Sequence, residues 1–138
     1  MTSASPFYKY RDILLNGSYS AAGALQDFAL SCYNGNMAQF RGDALANFDK
    51  QHFAIFVELA TYYHQYREDD QHLLDVGAAI WDSRRERGRD ILERLATHKS
   101  IKPHEYPDGT EHDYYDQLRW LERQVEIMKA KSWIDADA

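Results

Sequence analysis

The run DKQHFAIFVELATYYHQYR, Asp49 to Arg67, decides how the chain is read. It has no Gly or Pro, and big apolar side chains crowd it. At about 100° per residue, Phe53, Phe56, Val57, Ala60 and Tyr63 fall on one helix face. Ile55, Leu59, Tyr62 and Tyr66 carry the apolar surface past half the circumference. Only Ala54, Glu58, Thr61 and Gln65 leave a narrow stripe for water. A helix apolar over so much of its surface belongs inside a domain, with others around it. Asp49 is placed to cap it, because a short carboxylate accepts from free first-turn N–H groups. The expectation is an all-α fold: an irregular bundle of four to five helices around a central aromatic-rich helix, about 49–67.

Working outward, the N-terminal side supplies two more helices. Pro6 to Leu15 reads as one short helix, closed by Asn16-Gly17, where glycine takes a left-handed conformation at little cost. Ala21 to Tyr33 reads as a second, capped by Ser18 or Ser20. Its face is Leu25, Phe28, Ala29 and Cys32. Met37 to Phe48 is a connector with one turn near Asp43 to Asn47, whose Phe40, Leu45 and Phe48 tuck under the core. Asp69 or Asp70 caps the helix that follows.

On the C-terminal side, Gln71 to His98 repeats apolar positions in steps of three and four. The middle of that stripe is Arg84 and Arg87, and Gly88 lies among them at a cost of about 1 kcal/mol relative to Ala. One continuous helix is favoured over two hinged near Gly88, since no Pro or cap interrupts it. Ser100 to Gly109 is a loop with two prolines and a Pro-Asp-Gly turn. Thr110 caps a last helix with Asp113 as the capping-box partner. Its seam is Tyr114, Leu118, Leu121, Val125 and Met128. A length of 138 residues fits a single helical domain, 1–138, with loose tails at 1–5 and 135–138.

Charge narrows the function classes. The net charge is −6, which argues against broad binding to nucleic acid or an anionic membrane. The distribution is uneven: residues 1–82 carry a net −5, residues 83–102 a net +4, and residues 103–138 a net −5. No stretch approaches the ~20 apolar residues of a membrane span. The N-terminus MTSASPFYKY lacks a basic segment followed by an apolar run, so a cytoplasmic protein is expected. The single Cys32 excludes an internal disulfide. It falls near a helix C-terminus, where the dipole disfavours a thiolate, and reads as core.

The basic segment offers a partner surface in Arg84, Arg85, Arg87 and Arg89. Their guanidinium forks suit carboxylates or phosphates. Tyr115, Trp120 and Trp133 lie off the apolar seams, and interfaces favour Arg, Tyr and Trp. A metal alternative uses His104, His112 and Asp116, where His112 and Asp116 share a face at i, i+4. His64 falls on the apolar face of the central helix, which suits a satisfied core histidine, and His52 belongs to the cap region of Asp49. There is no nucleophile elbow, phosphate loop or dinucleotide fingerprint.

The runs FALSCYNG, Phe28 to Gly35, and LANFDKQHF, Leu45 to Phe53, resemble small uncharacterised helical proteins of bacterial mobile genetic elements. The resemblance implies a bacterial, cytoplasmic setting and transfers no site residues. The reading is a non-enzymatic protein-interaction module or small accessory protein without cofactors, with a protein partner or self-association. One alternative is an acidic inhibitor that mimics nucleic acid to block a basic groove. The other is a small metal-dependent hydrolase using the His104–Asp116 cluster.

Overall fold

The computed structural model describes residues 4–138, and among them every regular element is helical. The helices are α1 (Pro6–Lys9), α2 (Arg11–Asn16), α3 (Ser20–Tyr33), α4 (Lys50–Tyr66), α5 (Gln71–Lys99) and α6 (Glu111–Ala130). Short 3₁₀ turns lie at Gly42–Asn47, Arg67–Asp69 and Pro103–Glu105. The fold is all-α, and none of the described helices is long and apolar enough to cross a membrane. The chain divides into two compact units, Met1–Asp82 and Ser83–Ala138, with the boundary inside α5.

The first unit is built on a core of Phe7, Leu14, Leu25, Leu30, Ile55, Leu59, Leu73 and Ile80. Each such side chain, fully buried, contributes roughly 1.5–3 kcal/mol. The segment from Pro6 to Asn16 breaks at Tyr10 into α1 and α2, where a single expected helix would have run through. Gly17 ends α2 with φ −66°, an ordinary conformation, so a left-handed turn is not why glycine stands there. A Cβ at Gly17 would lie 2.5 Å from the Ala22 Cβ and 2.7 Å from the Ile13 carbonyl oxygen. Glycine is needed for close approach. The Gln26 amide seals that corner, donating to the carbonyls of Ile13 and Gly17.

Helix α3 starts after Tyr19 with no side-chain cap, so neither Ser18 nor Ser20 plays that part. Helix α4 is capped as its sequence indicates: the Asp49 carboxylate accepts from the His52 N–H at 2.8 Å. Its buried face is centred on Ile55 and Leu59, with Tyr62 and Tyr63 partly covered. Phe53 and Val57 stay 46% and 43% exposed, so the covered face is turned away from the one that the apolar pattern picks out. His64 is exposed too, contrary to its expected place on the core side. Leu45 is likewise exposed and does not tuck under the core.

The N-terminal segment is fastened, not loose, where it is described. Ser5 is buried, accepts from the Phe7 N–H and donates to the buried Asp70 carboxylate at 2.5 Å. Residues 1–3 of the expected tail lie outside the described residues. The other Asp70 oxygen accepts from the His72 N–H, so Asp70 caps α5. Helix α5 runs unbroken from Gln71 to Lys99. At Gly77 the Tyr33 ring lies where a Cβ would be.

The second unit has its own core of Ile91, Leu121, Val125 and Ile134, flanked by Leu92, Leu95 and Met128. Thr110 and Asp113 close the reciprocal capping box of α6. The seam residues Tyr114, Leu121 and Val125 are buried as their spacing requires. Past α6 the chain turns at Ser132, whose φ is 64°, and sends Ile134 into this core. The expected loose end at 135–138 therefore begins with a fastened residue, since Asp135 pairs with Arg85 at 2.9 Å.

Candidate functional site

Of the residues chosen from sequence as a partner surface, the second unit keeps several for itself. Arg84 is buried, with its guanidinium 5.1 Å from the centre of the Trp133 ring. Arg87 and Lys131 approach the same indole at 5.9 and 5.4 Å. Arg85 donates to the Ser132 carbonyl at 3.2 Å and pairs with Asp135. Gly88 makes room for this strap: a Cβ there would collide with the Trp133 carbonyl and lie 2.8 Å from Ile134 Cγ1. Arg84 thus meets Trp133, and Arg85 holds the residues on either side of that stretch, Ser132 and Asp135, all within one unit. Arg87 and Arg89 remain on an exposed face of α5 shared with Ser83, Glu86, Asp90 and Glu93. Tyr115 and Trp120 are exposed on α6, with the Arg94 guanidinium 5.5 Å from the Trp120 ring.

The structure does not assemble the metal alternative. His112 meets Asp116 at 3.2 Å, but Asp116 also pairs with Arg119, and His104 meets Glu105 at 3.7 Å. Among the described residues no three His, Cys, Asp or Glu side chains converge on a point fit for a cation. The spacing placed two donors on one face and left the third in a loop that points them nowhere in common.

Sequence reasoning passed over His98. It is buried, and its Nε2 bonds the Tyr114 carbonyl at 2.9 Å. A carbonyl only accepts, so that nitrogen carries hydrogen. The imidazole stacks on Tyr114 with centroids 4.3 Å apart, and Tyr106 meets it edge-on at 5.3 Å. This group borders a shallow recess of about 460 Å³ that Arg94 and Asp108 also line.

In the first unit, four of the chain's six Phe residues gather around a fifth, Phe56. Phe40 stacks on it at 5.1 Å, Phe28 meets it edge-on at 4.8 Å, and Phe48 and Phe53 lie at 6.1 and 6.4 Å. Phe53 and Val57, one helical turn apart, continue this cluster onto the surface. The result is an apolar shelf with an aromatic foundation.

The sharpest polar geometry is also in this unit. The Asp49 Oδ1 that caps α4 also meets His52 Nδ1 at 2.8 Å. His52 Nε2 in turn meets the Tyr19 hydroxyl at 2.9 Å. The two rings stand edge to face, 80° apart. His52 is mostly shielded, with 14% of its side chain exposed. The backbone N–H of His52, followed by its side chain, holds the Asp49 carboxyl below its ordinary pKa of 3.8. A carboxylate cannot donate, so Nδ1 carries hydrogen, and in the neutral imidazole the Nε2 lone pair accepts from the Tyr19 hydroxyl. The spacing Asp49–His52, one helical turn at the start of α4, was a visible signal for two of the three members. Tyr19, thirty-three residues from His52, had none.

Cys32 is buried in the first unit, where desolvation pushes its thiol up to about 12. It is a packing residue, as its position near the end of α3 indicates.

Comparison with known protein families, with curated proteins and with solved structures finds no significant match for this chain.

Proposed function

We propose that the chain is a protein-interaction module that docks an apolar segment of a partner on the shelf formed by Phe53 and Val57. The observation that carries this reading is the exposure of both side chains, one helical turn apart, with the Phe53 ring against Phe56 of the Phe cluster. Small domains gain by covering large apolar side chains. An apolar patch left open over a rigid aromatic base is where a partner gains most from burial.

This reading moves the partner surface from the basic segment to the first unit. Arg84, Arg85 and Trp133 are engaged by their own chain, which lowers their value as docking groups. The setting we propose is the cytoplasm, in which a lone thiol such as Cys32 stays reduced.

The test compares the tagged chain with a Phe53→Ser/Val57→Ser variant in retention from native lysate, after circular dichroism confirms that both are equally helical. The expected result is one protein held near stoichiometrically by the parent and lost by the variant. Equal retention by both would reject the shelf. A parent that sediments as a dimer and a variant that sediments as a monomer would make the partner a second copy of the same chain.

A further inference from the structure

The hydrogen-bonded series Asp49, His52, Tyr19 has the arrangement that activates a hydroxyl. It contains a carboxylate fixing an imidazole tautomer, a free ring nitrogen facing an O–H, and an O–H on a half-exposed tyrosine. We propose that Tyr19 is a nucleophile that accepts acyl groups from neutral activated esters, with His52 as its general base and Asp49 as the positioning residue. The docking shelf does not enter this inference; it stands on the geometry of these three residues.

Each member is held by more than the side-chain hydrogen bonds of the series. Asp49 is pinned as the cap of α4 by the His52 N–H at 2.8 Å. His52 is fixed to the first turn of that helix and lies edge-on to the Tyr19 ring at 5.3 Å. The Tyr19 backbone is extended at the start of α3, and its carbonyl accepts the Gly23 N–H. Tyr19 is 48% exposed, and its bond to His52 lies at the surface of the unit. The base beside it is shielded, which keeps bulk water from competing for its lone pair.

The first step forms the bond from Tyr19 Oη to the ester carbonyl carbon as the hydroxyl proton passes to His52 Nε2. The bond from that carbon to the leaving oxygen then breaks, and the departing alkoxide or phenolate takes the proton back from Nε2. The product is an aryl ester on Tyr19. In a second step His52 removes a proton from water, the water oxygen bonds to the acyl carbon, and Tyr19 Oη departs and is reprotonated by His52. A phenol is a better leaving group than the hydroxyl of serine, so the acyl group does not stay trapped.

The substrate class follows from charge. Among the described residues, the side-chain hydrogen bonds and ring contact of Tyr19 and His52 join them to each other and to Asp49, and include no Lys or Arg. Residues 1–82 carry a net −5. A phosphoryl group needs cations around its oxygens during transfer. A neutral ester makes no such demand and is not repelled.

The experiment treats the full chain with 4-nitrophenyl acetate and follows both nitrophenolate release and acetylation of individual tyrosines by peptide mass spectrometry. Tyr8 is the internal control, since it is 46% exposed and meets His72 through a tilted ring contact at 4.8 Å, with no hydrogen bond from its hydroxyl to an imidazole among the described residues. Tyr19 should be acetylated about 100-fold faster than Tyr8, the size of a general-base effect. His52→Gln should bring Tyr19 down to the Tyr8 rate with helicity unchanged. Asp49→Asn, whose amide can donate to Nδ1 and turn the imidazole to the other tautomer, should slow Tyr19 while Tyr8 stays as before. Tyr19→Phe should abolish the rapid phase of release. Labelling of Tyr19 and Tyr8 at the same rate would overturn the proposal, and so would a Tyr19 rate unmoved by His52→Gln.

Discussion

Gly88 and the Trp133 carbonyl oxygen approach so closely that a single methyl group on Gly88 would not fit between them. A glycine in mid-helix ordinarily weakens the helix by about 1 kcal/mol relative to Ala. Here it admits the strap that carries Ile134 into the second core. Gly88→Ala should therefore destabilise by roughly 1–3 kcal/mol despite its better helix propensity, because the obstacle is backbone that cannot swing aside. Gly23 in α3 has open space where a Cβ would stand. Gly23→Ala should stabilise by about 0.5–1 kcal/mol. Opposite shifts of the urea midpoint would separate the two; a gain at both positions would refute the close approach.

The bond from Ser5 to Asp70 is buried at both ends. Ser5→Ala removes the donor and the α1 cap together and leaves a carboxylate oxygen short of a partner. The cost should be about 1–3 kcal/mol. Limited proteolysis should then cut before Phe7 at a rate at which the parent chain survives.

Trp133 is held between cations of α5 and its own strap. An attraction of this kind contributes about 0.5–2 kcal/mol, and more where desolvated. Arg84→Ala and Trp133→Ala should both loosen the C-terminal segment. Carboxypeptidase should trim past Ile134 quickly in either variant and stall at Asp135 in the parent chain.

Two exposed caps give the acid response a sign. Asp49 is held below its ordinary pKa of 3.8 by the His52 N–H, and Asp113 below 3.8 by the Thr110 N–H. A lowered folded pKa means a contribution that is present above 3.8 and lost as pH falls through the folded value. Asp49→Ala and Asp113→Ala should be less stable than the parent at pH 6, and that difference should close as the pH is taken well below 3.8. A difference that stays constant down to pH 2 would contradict the two caps.

Several features that depend on near neighbours were legible in the sequence, although the cap of α3, the conformation of Gly17 and the break at Tyr10 were not. Asp49, Asp70 and Thr110 cap helices, and the Tyr114–Met128 seam faces a core, because caps and seams depend on residues three or four apart. What depends on distant partners was not legible. The apolar pattern of α4 could not say that Ile55 and Leu59 would be covered and Phe53 left open, since so many of its positions are apolar. Arg84 looked like a surface residue until Trp133, forty-nine positions later, supplied its cover. Gly88 read as a cost to a continuous helix, because the strap that needs its flatness is remote in sequence. Tyr19 carried no pattern at all, and only the fold brings it to His52.

The chain carries one sulfhydryl, and it is sealed inside the first unit. A thiol reagent can reach Cys32 only in the moments when the packing around it parts. Its rate of labelling therefore counts those moments, with no introduced probe and no contribution from residues 83–138, which hold no cysteine. The protein comes supplied with its own stopwatch for the breathing of one half of its length.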